Sequence, residues 1–455
     1  MGNTKLQTPR LVRRANCRDA VMGEGGHKTP QRWERRSGGR VCTAMGRRLA
    51  PLREADDPRG DGFFADDKSA VWGCLRRSAA GFVGRDSWCW LFVVSARSVP
   101  RWSIVVNRER FQEIADRYRD LRVALVGDFC LDRYLEIDPA RRESSIETGR
   151  EVHNVVRVRS QPGGAGTILN NLAALGIGTI YPVGFCGEDG EGYELLRALQ
   201  ARAGVELGRF LQTPERRTFT YCKPLVVGLD GPPVELNRLD SKNWTPTPPE
   251  IEEVLGMALR CLVAADAVDA IILLDQVDLP ETGVVTRGLL EVVREIARER
   301  PELLILADSR RGLREFPPVT FKMNAAELAR LTGAEGVPGA LGVAENFSLA
   351  TVQETAAALA RRNGQRVFVT LAERGMVGAA ADGRVEQVGA LPVRGPIDIV
   401  GAGDAVTANL TAALAAGATV REALVAASCA ASLVIHQLGT TGTATVAEIG
   451  ALLPE

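Results

Sequence analysis

The run Asp398-Ile-Val-Gly-Ala-Gly-Asp404 leads into an apolar stretch, Ala405 to Ala416, of helical composition. Small residues let a backbone approach a ligand closely, and a helix start presents free N–H groups at the positive end of its dipole. Gly401, Ala402 and Gly403 are therefore expected to cradle a phosphoryl group as charge spreads over it in a transition state. Asp404, in the first turn, is placed to take a proton from an attacking hydroxyl. By itself the run also reads as a glycine turn whose Asp caps a helix.

Three further constellations bear on that choice. Pro162-Gly-Gly-Ala-Gly166 opens a second small-residue helix, and its paired glycines, Gly163 and Gly164, leave space for a flat polar ligand. Asn170 and Asn171 follow with amides suited to hydroxyl groups. Asn324-Ala-Ala-Glu327 puts an amide and a carboxylate three apart on one helix face. That pair suits a hydrated magnesium ion beside phosphates, and equally a capping box with Asn324 as N-cap. Gly127-Asp128, with Asp132 and Arg133 just beyond, stands at the carboxyl end of an apolar strand. Open α/β sheets bind ligands there, and Asp128 is a good acceptor for sugar hydroxyls, though equally a loop cap.

Taken in order, Gly127-Asp128, Pro162 to Gly166, Asn237 to Asp240, Asn324 to Glu327, Thr370 to Gly375 and Asp398 to Asp404 resemble the motifs of the PfkB/ribokinase carbohydrate kinase family. The resemblance covers about residues 105–455. Gly127 to Tyr134, Arg238 to Asp240 and Gln437 to Gly442 are similar in particular to the kinase half of bifunctional heptose 7-phosphate kinase/heptose 1-phosphate adenylyltransferases. The resemblance implies a ribokinase-like α/β fold, a mostly parallel sheet flanked by helices with a small antiparallel β lid. It implies ATP and Mg²⁺ as cofactors, Asp404 as base, 401–403 as anion hole, and Asn324 with Glu327 as the Mg²⁺/phosphate pair. Asp128, Gly163, Gly164 and Asn171 fall on the sugar side, and Thr370, Glu373 and Gly375 on the nucleotide side. A phosphorylated sugar also needs a cation for its phosphate, for which Arg133, Lys223 and Arg238 are the candidates. The implied acceptor is a sugar or sugar phosphate, foremost a heptose 7-phosphate. A fructose phosphate, ribose or nucleoside is the competitor within the class, and a catalytically silent binding protein the competitor outside it. Departures stand at Ile399 and Val400, where threonine is usual, at Thr167 in place of Asn, and at Asp308-Ser-Arg310 in place of Asp-Pro-Lys. The chain ends at Glu455 without an HxGH motif, so a kinase alone is expected.

The elements that must hold these residues alternate. Helical spacing marks 107–120, 168–175, 191–203, 282–300 and 352–363; apolar strand-like runs mark 123–126, 179–183, 270–274, 303–307 and 366–370. Strand then helix, repeated, predicts a parallel sheet covered on both faces. Segments 134–160 and 217–240 are rich in β-formers and break the rhythm, which predicts the lid. Exposed lid strands are suited to pairing two copies into a homodimer.

Composition narrows the class. Formal net charge is zero, yet residues 1–104 carry 20 Lys and Arg against 10 Asp and Glu, with five of the six tryptophans. That front lacks periodicity and reads as a disordered or mis-started basic extension, the alternative being an arm for an anionic partner. The mildly acidic remainder gives no nucleic-acid footprint. Nine scattered cysteines and three histidines lack zinc spacing, and the odd cysteine count argues against a complete disulfide framework. The apolar run from Trp88 to Val94 is far short of a membrane span, and a secretory h-region is missing, so a cytoplasmic enzyme without membrane partners is expected.

Overall fold

The computed structural model describes residues 106–228, 233–333 and 348–455. The expectations for the basic front, residues 1–104, and for a boundary at 105 lie outside them.

The chain begins with α1 (Arg108–Ala115), whose N-cap Asn107 accepts from the amide of Arg110. The predicted helix over 107–120 stops early because the Tyr118 carbonyl accepts from Gly178 instead, leaving a 3-10 turn at Tyr118–Asp120. β1 (Arg122–Gly127) follows, and after Asp128 alone the chain leaves the main sheet as β2 (Phe129–Ile137). A short pair, β3 (Glu143–Ser144) and β4 (Glu151–Val152), leads to β5 (Val155–Gly164) and directly into α2 (Ala165–Ala174). Then come β6 (Thr179–Gly187), α3 (Gly190–Gln200), β7 (Phe210–Thr213) and β8 (Phe219–Val226), with β9 (Val234–Glu235) and β10 (Leu239–Ser241). α4 (Pro249–Ala264), β11 (Ala270–Asp275), α5 (Arg287–Glu299), β12 (Leu304–Ser309), β13 (Thr320–Asn324), α6 (Ala325–Thr332) and α7 (Leu349–Asn363) continue the alternation. β14 (Val367–Thr370), β15 (Met376–Ala379), β16 (Val385–Val388), α8 (Ala402–Ala415), α9 (Val420–Val434) and α10 (Val446–Ala451) complete it.

The nine-stranded main sheet has the order β16-β15-β14-β13-β12-β11-β1-β6-β7. It is parallel from β14 to β7 and antiparallel only at the β14–β15–β16 edge. One buried cluster packs α1, α2, α8 and α9 on one face; a second packs α4, α5, α6 and α7 on the other. Strands buried on both faces read as unbroken apolar runs, and β11, Ala270–Asp275, is buried throughout. Strand order reverses between β1 and β11, so a crevice opens at their carboxyl ends, beyond Gly127 and Asp275.

The lid is a separate sheet, β10-β8-β2-β5, with β9 beside β8. β2 and β5 pair antiparallel, as do β8 and β10, whereas β2 and β8 run parallel because α2, β6 and α3 intervene in the chain. It begins five residues earlier than the composition of 134–160 predicts. Helix α5 starts later than predicted, at Arg287, because the Val284 amide is taken by the Asp128 carboxylate. Strand β7, helices α4, α9 and α10 and the β15–β16 hairpin are additions to the predicted set.

Candidate active site

Gly401 is the N-cap of α8 with φ +84°, a conformation that favours glycine, and a Cβ there would approach Thr441 to 3.3 Å. Asp404 is the third helical residue, so its carboxyl stands over the first turn. Within that turn the Ala402 amide turns back to the Ile399 carbonyl at 3.3 Å. The amides of Gly401, Gly403 and Asp404 are left to face an anion, so within the expected 401–403 only that of Ala402 is engaged. Asp404 is half-buried. Loss of solvation raises its pKa to about 7 against the pull of Lys322, with Asp308 and Asp132 adding to the rise. A carboxyl held there is matched to proton transfer at neutral pH.

Lys322, which the motif reading passed over, forms the floor of this turn. It projects from β13, is 7% exposed, and donates to Asp308 Oδ2 at 2.6 Å. Thr407 of α8 donates to the same oxygen at 3.1 Å. A Cβ on Gly403 would lie 3.2 Å from Lys322 Nζ, so the glycine leaves room for the ammonium beneath the helix start. Burial works against the charge on Lys322, but Asp308, Asp404 and Glu327 raise its pKa and keep it protonated. A lysine inside an otherwise buried strand was the sequence signal available for it.

Asn324 and Glu327 form the full capping box of α6: the Asn324 side chain accepts from the Glu327 amide at 2.9 Å, and Glu327 Oε2 from the Asn324 amide at 2.7 Å. The other Glu327 oxygen is outside the box. Burial raises the Glu327 pKa, and Asp308 is near enough to raise it further. Two hard carboxylates beside a phosphate cradle suit a magnesium ion that keeps most of its waters, and the residues fit that ion. Among the described residues no group of three or more His, Cys, Asp or Glu forms a closed metal cage. Thr370 is the register partner of Asn324 across β13 and β14, which puts the two nucleotide-side residues together. Glu373 is exposed in the turn that follows. Gly375 has φ +87°, and a Cβ there would meet the Val388 carbonyl at 2.0 Å. Its glycine is dictated by the β15–β16 hairpin.

On the sugar side the expected residues have different surroundings. Asp128 is 2% exposed and accepts from the amides of Gln276, Val277 and Val284 at 2.8, 3.1 and 2.7 Å. Burial and Asp275 push it up to about 6 against those three bonds. Its oxygens tie the loop after β11 to β1 rather than facing the crevice. Asn171 is fully buried and donates to the carbonyls of Thr167 (3.0 Å) and Gly442 (3.4 Å), so it joins α2 to the 437–443 loop. Arg133 points to the back of the lid, paired with Glu191 at 3.1 Å and Glu194 at 2.6 Å of α3. The Asp128 carboxylate, the Asn171 amide nitrogen and the terminal nitrogens of Arg133 thus have partners inside the protein, whereas among the described residues the buried Asn171 Oδ1 and Arg133 Nε have none.

The carboxylate the crevice offers instead is Asp132. It is 8% exposed, yet among the described residues nothing donates a hydrogen bond to it and no cation lies within ion-pair distance. Burial raises its pKa, with Lys223 and Arg238 pulling the other way. Gly163 and Gly164 give it and the β1–β2 corner room: a Cβ on Gly163 would lie 2.6 Å from Asp132 Oδ2, and one on Gly164, at φ +56°, 2.5 Å from the Asp128 carbonyl. Strand alternation puts Asp132 on the opposite lid face from Arg133. Its neighbour across β5, Gln161, bonds Thr440 and Thr441, the latter packed on Gly401. Asp132 therefore faces Asp404 across the crevice.

The chain is similar to known proteins in sequence and in fold. Residues 289–446 match the family described as pfkB family carbohydrate kinase. The chain is 30% identical over 345 residues to "Bifunctional protein HldE" of Hyphomonas neptunium, covering 74% of this chain and 64% of that protein. It is 29% identical over 332 residues to the protein of the same name from Azorhizobium caulinodans, covering 73% and 64%. It thus spans just under two thirds of the length of these relatives. In structure it is similar to phosphofructokinase-2 from Escherichia coli in complex with substrates and products, with TM-score 0.54, 17% identity, and 73% and 98% of the two chains covered. Ribokinase of Arabidopsis thaliana complexed with ribose and ATP aligns with TM-score 0.50 and 20% identity over 74% and 96%. At these identities the likeness is one of fold.

Proposed function

We propose that this chain, whose residues 289–446 match the pfkB family of carbohydrate kinases, transfers the γ-phosphoryl group of ATP to a hydroxyl of a sugar phosphate bound between lid and main sheet. The observation that carries the reading is the Asp404 carboxyl, raised to about 7 at the start of α8 with free amides beside it and Lys322 beneath. The acceptor is D-glycero-D-manno-heptose 7-phosphate, phosphorylated at its anomeric hydroxyl to the 1,7-bisphosphate. That choice rests on the resemblance of Gly127 to Tyr134, Arg238 to Asp240 and Gln437 to Gly442.

In the proposed reaction Asp132 accepts hydrogen bonds from sugar hydroxyls and orients the acceptor. Asp404 takes the proton of the attacking hydroxyl; its oxygen bonds to the γ-phosphorus in line as the bond to the ADP oxygen breaks. The Gly401, Gly403 and Asp404 amides and the Lys322 ammonium oppose the charge on the transferring oxygens. Glu327 and Asp308 would hold magnesium, which supplies charge neutralisation to the nucleotide phosphates. Asn324 and Thr370 line the nucleotide side. The exposed edge of β5 supports pairing of two lids in a homodimer.

ATP consumption by the full chain, wild type beside Asp404→Asn, tests the reading on a panel of heptose 7-phosphate, fructose 6-phosphate, ribose and a nucleoside. Turnover of the heptose phosphate, falling at least 100-fold in the variant, is expected. Binding of ATP or sugar without any turnover would turn the assignment to a silent binding protein.

A further inference from the structure

We propose that Lys223 is the residue that selects an acceptor already carrying a terminal phosphate, a role that rests on the kinase reading above. Across the lid, Tyr134 of β2 is the register partner of Arg159 on β5 and of Lys223 on β8. Register partners share a face, and this is the face of Asp132, which partners Gln161 and Tyr221. Lys223 Nζ lies 5.0 Å from the Tyr134 ring centroid, and the Arg159 guanidinium lies 4.7 Å from it. The two cations stand about 7 Å along the strand from Asp132, one two-residue step further from Asp404.

Among the described residues most charges on this face pair off; Asp132, Lys223 and the exposed Glu235 of β9, register partner of Leu225, have no ion pair. Arg159 is bound to Glu136 at 2.7 Å, and Arg238 to Asp240 at 3.3 Å while stacked on Tyr221. Arg133 is on the other face with Glu191 and Glu194. Among the described residues Lys223 has no carboxylate within ion-pair distance, and Asp132 has no cation. One unmatched carboxylate beside the base and one unmatched ammonium beyond it fit a ligand with hydroxyls at its centre and an anion at its far end. A half-buried ammonium flanked by a phenol and a guanidinium is suited to phosphate, which has three oxygens to share among them. The inference selects Lys223 from the three cations that sequence alone left equal.

The test is kcat/KM of the full chain for heptose 7-phosphate against heptose, and for fructose 6-phosphate against fructose, with wild type, Lys223→Met and Lys223→Arg. A sugar acid, gluconate, serves as the other anionic acceptor. In Lys223→Met the preference for the phosphorylated member of the accepted pair is expected to fall 10- to 100-fold through KM, with kcat moving less than about threefold. Lys223→Arg should recover most of it, which a merely structural role would not. Equal loss on both members of a pair, or no loss, overturns the assignment of Lys223 and leaves the kinase reading standing. A wild type that prefers the unphosphorylated sugar or gluconate does the same. A wild type that turns over none of the acceptors removes both.

Discussion

Asp404 meets the negative charge of Asp308 and Asp132 and the positive charge of Lys322 while losing solvent, and its pKa of about 7 has consequences at two levels. As the proposed base it would act only when deprotonated, so kcat/KM should fall about tenfold per pH unit below pH 7 and level off above it. For stability the sign is negative. Between the unfolded value near 4 and the folded value near 7 the native state binds more protons, so stability falls as pH rises through that window. Asp404→Asn, which mimics the neutral form, should melt higher than wild type at pH 8 and equal to it below pH 4. Thermal unfolding across pH measures this, and an equal Tm at pH 8 would contradict the buried charge. Asp132→Asn separates binding from structure in a similar way. Among the described residues its carboxylate has no partner to lose, so the melting point should hold or rise while KM for the sugar rises roughly tenfold or more. A drop in stability without a change in KM would mean that Asp132 supports the lid and not the ligand.

At the scale of elements, the site exists because several chain segments end at the same level. β13 delivers Lys322 and Asn324, β12 delivers Asp308, and α8 begins beside both. The 437–443 loop joins them to the lid, with Thr441 against Gly401, Thr440 and Thr441 bonded to Gln161, and Gly442 bonded to Asn171. Some glycines that look like ligand space in the sequence are fixed by these junctions. Gly375 is the clearest, since its positive φ and the Val388 carbonyl both exclude a side chain. Gly375→Ala should cost at least about 2 kcal/mol, read as a lower urea midpoint at unchanged m. A variant as stable as wild type would show that the hairpin can shift to admit a methyl group.

At the scale of the whole molecule, the lid is where the proposed homodimer can be tested. β5 is an open edge, and Val156 and Val158 upon it are 47% and 50% exposed. Sedimentation velocity of the full chain should give a dimer, and Val158→Lys should move it toward monomer. A wild type that sediments as a monomer at micromolar concentration removes the lid-to-lid pairing. Among the described residues no helix is long and apolar enough to cross a membrane.

The alternation of strands and helices determined the parallel sheet, and the order of the motifs the resemblance to a kinase family and the place of Asp404 at a helix start, because glycine turns, apolar strands and helix starts are local properties that spacing records. The capping box at Asn324 and Glu327 was legible for the same reason. Tertiary structure decided which polar groups still have free valence. Asp128 and Asp132 are both strand-end carboxylates in sequence; only the fold brings three amides from the β11 loop onto the first and none onto the second. Arg133 and Lys223 are both lid cations in sequence; strand pairing turns one to two glutamates of α3 and leaves the other facing the crevice. A hydrogen bond between residues more than a hundred positions apart leaves no trace in local spacing, and those bonds decide which side chains remain for a ligand.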